Sequence, residues 1–193
     1  MTLHTGLDDE TDSLTGYRSP LHGRCPEVHA AGSRDTELVA LAERVRGWIG
    51  EGIEPHAIGI AARAGYLAEQ AAVALKAVGI PVTSLTTKSA KDAVRVGTMH
   101  RMKGLEFQAV AVIGVADGIV PAPAAVTPAE TDPLAHTQDL QRERCLLFVA
   151  CTRARDHLYV SYAAPRARSS HRGEVRLSRT DRDALRSPQC SRR

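Results

Sequence analysis

The stretch Val94–Pro121, VRVGTMHRMKGLEFQAVAVIGVADGIVP, decides the fold of this 193-residue chain. Val94 and Val96 alternate with Arg95 and Gly97, the two-residue period of a strand. From Phe107 to Val115 the sequence is almost unbrokenly apolar, rich in small and β-branched residues. Such a run suits a strand covered on both faces, as in a parallel sheet. Between the two runs, Thr98–Glu106 gathers a hydroxyl, an imidazole, two cationic side chains, a glycine and a carboxylate. Loops at the ends of parallel strands carry much of the chemistry of α/β proteins. This polar block is therefore the expected site.

The flanking sequence continues the same alternation. Glu27–Ala31 reads as a short strand closed by Gly32-Ser33, after which Asp35 or Thr36 is expected to cap a helix. Leu38, Leu41, Ala42, Val45, Trp48 and Ile49 form one stripe on that helix, and Gly50 and Gly52 end it. His56–Ala62 reads as a buried strand. A second helix follows, with Leu67, Ala71, Ala74, Leu75 and Val78 on one face and Gly79 at its end, and then a strand over Ile80–Leu85. A short helix is expected near Met102. Four prolines make Asp117–Leu134 a loop. Thr137 is a suitable N-cap for the last helix, with Asp139 in its first turn and its end near Ala154. Its 145–151 portion is apolar on nearly every side and is expected to be buried. His157–Tyr162 supplies a final strand. This order predicts an α/β fold, an open and mainly parallel sheet with helices on both faces.

Composition bounds the remaining possibilities. The length fits one domain, divided as an irregular segment over 1–26, the α/β domain over 27–162 and a tail over 163–193. The tail holds nine arginines against Glu174, Asp181 and Asp183, a net of +6, and reads as disordered. With +3 for the whole chain, the other residues carry −3, which excludes a uniformly basic nucleic-acid surface. No run reaches the roughly 18 apolar residues of a membrane span. The first residues lack a secretory signal, so a cytoplasmic location is expected. Cys25, Cys145, Cys151 and Cys190 show no paired spacing and read as ordinary thiols. His22, Cys25 and His29 lack a fourth partner, so no metal site is assigned.

Two motifs resemble a known family. Thr98-Met99-His100-Arg101-Met102-Lys103-Gly104-Leu105-Glu106-Phe107 resembles motif V of UvrD/Rep-like superfamily 1 DNA helicases. Glu143-Arg144-Cys145-Leu146-Leu147-Phe148-Val149-Ala150-Cys151-Thr152-Arg153-Ala154-Arg155 is similar to motif VI. The resemblance is strong over Val94–Tyr162 and implies the three-layer RecA-like domain that forms the C-terminal half of such motors. By the same resemblance Arg153 reaches the γ-phosphate of ATP, where a planar and permanently charged fork suits the transferring phosphoryl group. Glu106 would accept a hydrogen bond from the ribose, and Gly104 would let the backbone approach the nucleotide. Thr98 and His100 correspond to positions facing the backbone of single-stranded DNA, which hydroxyl and imidazole groups can contact without sequence preference. Arg144 is a candidate for orienting the motif VI helix. Tyr17-Arg18-Ser19, similar to the core of motif IV, reads as a loop because Pro20, Gly23 and Pro26 follow.

The chain holds no GxxxxGK[ST] loop, and Asp8-Asp9-Glu10 follows no apolar strand. The resemblance therefore implies half of an ATP-dependent, 3′-to-5′ motor, truncated and inactive alone. Its phosphate- and Mg2+-binding half would be a partner in cis or in trans. The alternative is a noncatalytic helicase remnant that binds DNA or protein. Seven aromatic residues offer little base stacking. A generic nucleotide-binding α/β domain would leave both motifs unexplained.

Overall fold

The computed structural model describes residues 24–87 and 91–163, together with an antiparallel pairing of Thr2–Leu3 with Asp12–Ser13. Tyr17-Arg18-Ser19, the acidic cluster at 8–10 and the arginine-rich tail lie outside the described residues.

Six parallel strands form the sheet: β1 (Glu27–Ala31), β2 (Ile58–Ala62), β3 (Val82–Ser84), β4 (Val94–Thr98), β5 (Phe107–Ile113) and β6 (Ala154–Ala163). Their spatial order is β1-β6-β5-β2-β4-β3. The apolar runs take the centre, where β2 is buried at every position and β5 at all but Gln108. Strand alternation sends neighbouring β5 residues into two cores. Ala109, Ala111 and Ile113 join Ile58, Ile60, Val94 and Val96 beneath helices α1 (Arg34–Gly50) and α2 (Gly65–Ala77). Val110 and Val112 join Phe107, Met99 and Met102 on the opposite face, under helix α3 (Pro133–Cys151). These are the three layers expected of a RecA-like domain.

The stripe on α1 is as read, with Leu41, Val45 and Trp48 wholly buried. Its cap is Ser33 rather than Asp35 or Thr36. Ser33 Oγ accepts from Thr36 N at 3.2 Å, and Thr36 Oγ1 accepts from Ser33 N at 3.0 Å, a reciprocal capping box. The same stripe contains a carboxylate, Glu37, which is fully buried. Its Oε1 accepts from Gly114 N at 2.9 Å and from Ser161 Oγ at 2.7 Å, and its Oε2 accepts from Arg34. One side chain thereby ties the start of α1 to the ends of β5 and β6.

Helix α3 departs most from expectation. Asp132 is its N-cap, accepting from Leu134 N and Ala135 N at 3.0 Å, and Pro133 takes the first turn, where a missing N–H costs nothing. Thr137 lies inside the helix, its hydroxyl donating to Pro133 O at 2.9 Å. Asp139 instead holds the loop, accepting from Thr127 N at 3.0 Å and from Thr127 Oγ1 at 2.8 Å. The 145–151 portion is not buried. Ala150 is the buried residue there, Cys145 and Phe148 are exposed, and the others are half-buried. The helix lies on the sheet as an outer layer, so only one flank of this apolar segment is covered. Cys25 is disulfide-bonded, against the expectation of a plain thiol, whereas Cys145 and Cys151 are free. No helix among the described residues is long and apolar enough to cross a membrane.

Candidate functional site

The polar block is a crossover, not a loop gathered at one strand end. Thr98 closes β4 level with Ala62 of β2, and Ala62 is level with Ile113 at the end of β5. Because the strands are parallel, Phe107 begins β5 at the opposite edge of the sheet, about 20 Å away along a seven-residue strand. Residues 99–106 must run back across the sheet to reach it. They do so through a 3-10 turn over Met99–Met102. Its three-residue repeat puts Met99 and Met102 on one side, wholly buried in the second core, and leaves His100 and Arg101 exposed. Lys103 is exposed as well. Gly104 then takes φ +78°, and a Cβ there would meet nothing within 4 Å. The glycine answers to backbone conformation rather than to crowding.

The expected site residues thus fall into two groups. Thr98 and His100 stand at the C-terminal edge of the sheet, and Glu106 and Arg153 stand together at the N-terminal edge. The second pair is linked through the backbone, since Phe107 N donates to Arg153 O at 2.9 Å, joining the residue after Glu106 to the residue before β6. Glu106 is exposed and Arg153 half-buried. The Arg153 guanidinium folds back on the end of α3, Nε donating to Val149 O at 3.2 Å and Nη2 to Thr152 Oγ1 at 3.4 Å. Both bonds are long, and the helix C-terminus favours a cation there in any case. Beside them, Arg155 forms a two-pronged pair with Asp156 at 3.0 and 3.2 Å. Its hydrogen bond holds the Asp156 carboxyl below the ordinary range.

At the other edge the structure contains a pair that the sequence reading did not join. Arg63, directly after β2, donates from Nε to Glu143 Oε2 at 2.7 Å and from Nη2 to Glu143 Oε1 at 2.8 Å. Glu143 Oε2 also accepts from Ala122 N at 3.0 Å. The Arg63 hydrogen bond holds the Glu143 carboxyl below its ordinary range against the opposing effect of burial, with smaller contributions from the Ala122 N–H and the charge of His100. The sequence suggested Arg144 as the residue orienting this helix; Arg144 is exposed, and its neighbour Glu143 is the buried partner. The two partners are 80 residues apart; Glu143 opens the motif VI stretch, but nothing local there points to Arg63 as its partner.

The family model of the UvrD-like helicase C-terminal domain matches residues 73–165, a span containing both motifs. Those residues belong to the UvrD-like helicase C-terminal family. YjcD of Bacillus subtilis, named as a candidate ATP-dependent DNA helicase, is 45% identical over 73 residues, covering 38% of this chain and 9% of that protein. The ATP-dependent DNA helicase UvrD2 of Mycobacterium tuberculosis is 40% identical over 77 residues, 38% of this chain and 10% of the relative. The ATP-dependent DNA helicase PcrA of Bacillus subtilis is 34% identical over 76 residues, 39% of this chain and 9% of the relative. The matched part therefore spans about a tenth of the curated relatives. The crystal structure of the C-terminal domain of a possible DNA helicase from Lactobacillus plantarum shares the fold, with a TM-score of 0.53 and 24% identity. That likeness covers 77% of this chain and 83% of the other. Arg63 lies outside the family match, whereas Glu143 lies within this UvrD-like helicase C-terminal domain.

Proposed function

We propose that this chain acts as the C-terminal motor domain of an ATP-dependent, 3′-to-5′ DNA helicase of the UvrD/Rep type. In this reading it completes the ATP site and contacts single-stranded DNA. The supporting observation is the bond from Phe107 N to Arg153 O, which makes Glu106 and Arg153 neighbours at one edge of the sheet. A half-buried guanidinium held by two long hydrogen bonds can turn toward a polyphosphate, and the exposed Glu106 carboxylate at the same edge can accept from a sugar hydroxyl. Gly104, with no neighbour at its Cβ position, leaves the backbone open to the nucleotide. ATP, when bound, supplies the phosphoryl group, and Arg153 would stabilise the charge that spreads over its oxygens during transfer. Thr98 and His100, at the far edge, would meet the DNA backbone. No group of three or more carboxylate, imidazole or thiol side chains among the described residues fits a metal ion. By the family resemblance, Mg2+ would be held by the other half of the motor and the nucleotide.

The test is ATP hydrolysis stimulated by single-stranded DNA, measured in the chain alone, with a candidate N-terminal half, and with Arg153→Ala. Hydrolysis only in the mixture, lost in the variant, supports the reading. Hydrolysis by the chain alone refutes the placing of phosphate and metal binding in another half. Silence throughout, with DNA bound, favours a noncatalytic binding module. Arg153→Ala should fold normally, because its two long side-chain bonds contribute at most about 1 kcal/mol.

A further inference from the structure

The Arg63–Glu143 pair meets three chain segments at one point: the end of β2, the proline-rich loop at Ala122 and the middle of α3. Its side chains are 16% and 7% exposed. Ala150 and the half-buried Leu146, Leu147 and Cys151 pack the C-terminal half of α3 on the second core, and Glu143 is the buried residue of its middle. A bidentate guanidinium–carboxylate pair restricts both distance and orientation, which a single apolar contact does not. From Glu143 the helix runs unbroken to Cys151, so Glu143 stands about 15 Å from Arg153, ten residues on. The other end of the clamp lies level with Thr98, since Arg63 follows the Ala62 that is in register with it.

We propose that Arg63 and Glu143 are positioning residues that fix α3, and through it Arg153, relative to the edge bearing Thr98 and His100. The functional importance of placing Arg153 rests on the helicase reading; the clamp on α3 does not. A rigid helix gripped at one edge of the sheet and carrying Arg153 to the other gives the two groups a mechanical connection. The sheet alone would hold them together only through the strands between.

The clamp is tested by amide hydrogen exchange on the chain carrying Glu143→Gln, Arg63→Lys, or the exchanged pair Arg63→Glu with Glu143→Arg. The informative amides are Phe107 and Arg153, whose bonds to Arg153 O and Ala150 O secure the far end of the helix. Leu41 and Ala71, in the layer on the other face, serve as references. Glu143→Gln should speed exchange at Phe107 and Arg153 roughly tenfold while Leu41 and Ala71 keep their wild-type rates. Arg63→Lys should fall between, because it keeps the charge and loses the fork. The exchanged pair should restore part of the protection. Unchanged exchange at Phe107 and Arg153, or an equal increase at all four amides, overturns the proposal. Should Glu143→Gln not fold, Arg63→Lys and the exchanged pair carry the same comparison. Binding of a fluorescein-labelled oligothymidylate to the wild-type chain is measured separately. Its failure would count against the DNA-binding reading and leave the exchange result to decide the clamp.

Discussion

Removing the buried carboxylate at Glu37 should be among the most damaging single changes in the domain. Its Oε1 is the common acceptor for Gly114 N and Ser161 Oγ, which lie 77 and 124 residues away in sequence. Glu37→Ala leaves a buried amide and a buried hydroxyl without their acceptor, at about 1–3 kcal/mol each. Arg34, with 23% of its side chain exposed, can turn to water and adds less. A loss of about 3–4 kcal/mol follows, in the range for breaking one side of a buried pair. Glu37→Gln separates the components. Its amide oxygen can stand in place of Oε1 and keep both acceptor bonds, while its amide nitrogen faces Arg34, so the cost should be only about 1–2 kcal/mol. Urea unfolding reads the difference. With a slope of about 1–3 kcal/mol per molar, the midpoint should drop by about 1–4 M for alanine and clearly less for glutamine. Ser161→Ala added to Glu37→Ala should cost less than the sum of the two, since they share one bond. An alanine variant with the wild-type midpoint, or glutamine as damaging as alanine, would refute the shared-acceptor account.

Three further outcomes are expected. Gly59→Ala places a Cβ 2.7 Å from the buried ring of Phe107 and should destabilise by about 1–3 kcal/mol; a thermal midpoint at or above wild type would contradict this. Because the folded Glu143 carboxyl is held below its ordinary range, the stability it contributes is complete above that range and lost as pH falls through the lowered value. Wild type should therefore lose more stability on acidification than Glu143→Gln, and parallel curves of unfolding free energy against pH would count against the ion pair. Burial pushes the Cys151 thiol up to about 11, whereas Cys145 is exposed. Alkylation at pH 8 followed by peptide mass mapping should modify Cys145 and spare Cys151 until the protein is denatured, and equal rates would show that Cys151 is not shielded by the packing of α3 against the second core.

Much of the architecture was legible because it follows from local periodicity. The Leu41–Trp48 stripe, the unbroken apolar run of β5 and the alternation of strands with helices each describe a surface that must be buried in one way. The boundaries of α3 were misread where two local rules competed. Pro133 reads as a loop residue, yet it also suits the first turn of a helix, and the availability of Asp132 as a cap decided between them. The apolar 145–151 segment reads as enclosed, but an outer-layer helix meets the sheet along one flank only.

The sequence by itself determined the α/β class, the parallel sheet and the two motifs, because hydrophobic period and residue order are properties of short segments. The tertiary structure decided which of those residues stand together. Parallel strands force a connection to recross the sheet, and that separates Thr98 and His100 from Glu106 although they are near in sequence. The same geometry joins Glu106 to Arg153, and Arg63 to Glu143, across long stretches of chain. Buried hydrogen bonds such as those of Glu37 and Glu143 depend on where desolvated groups meet in space, and no local pattern encodes that.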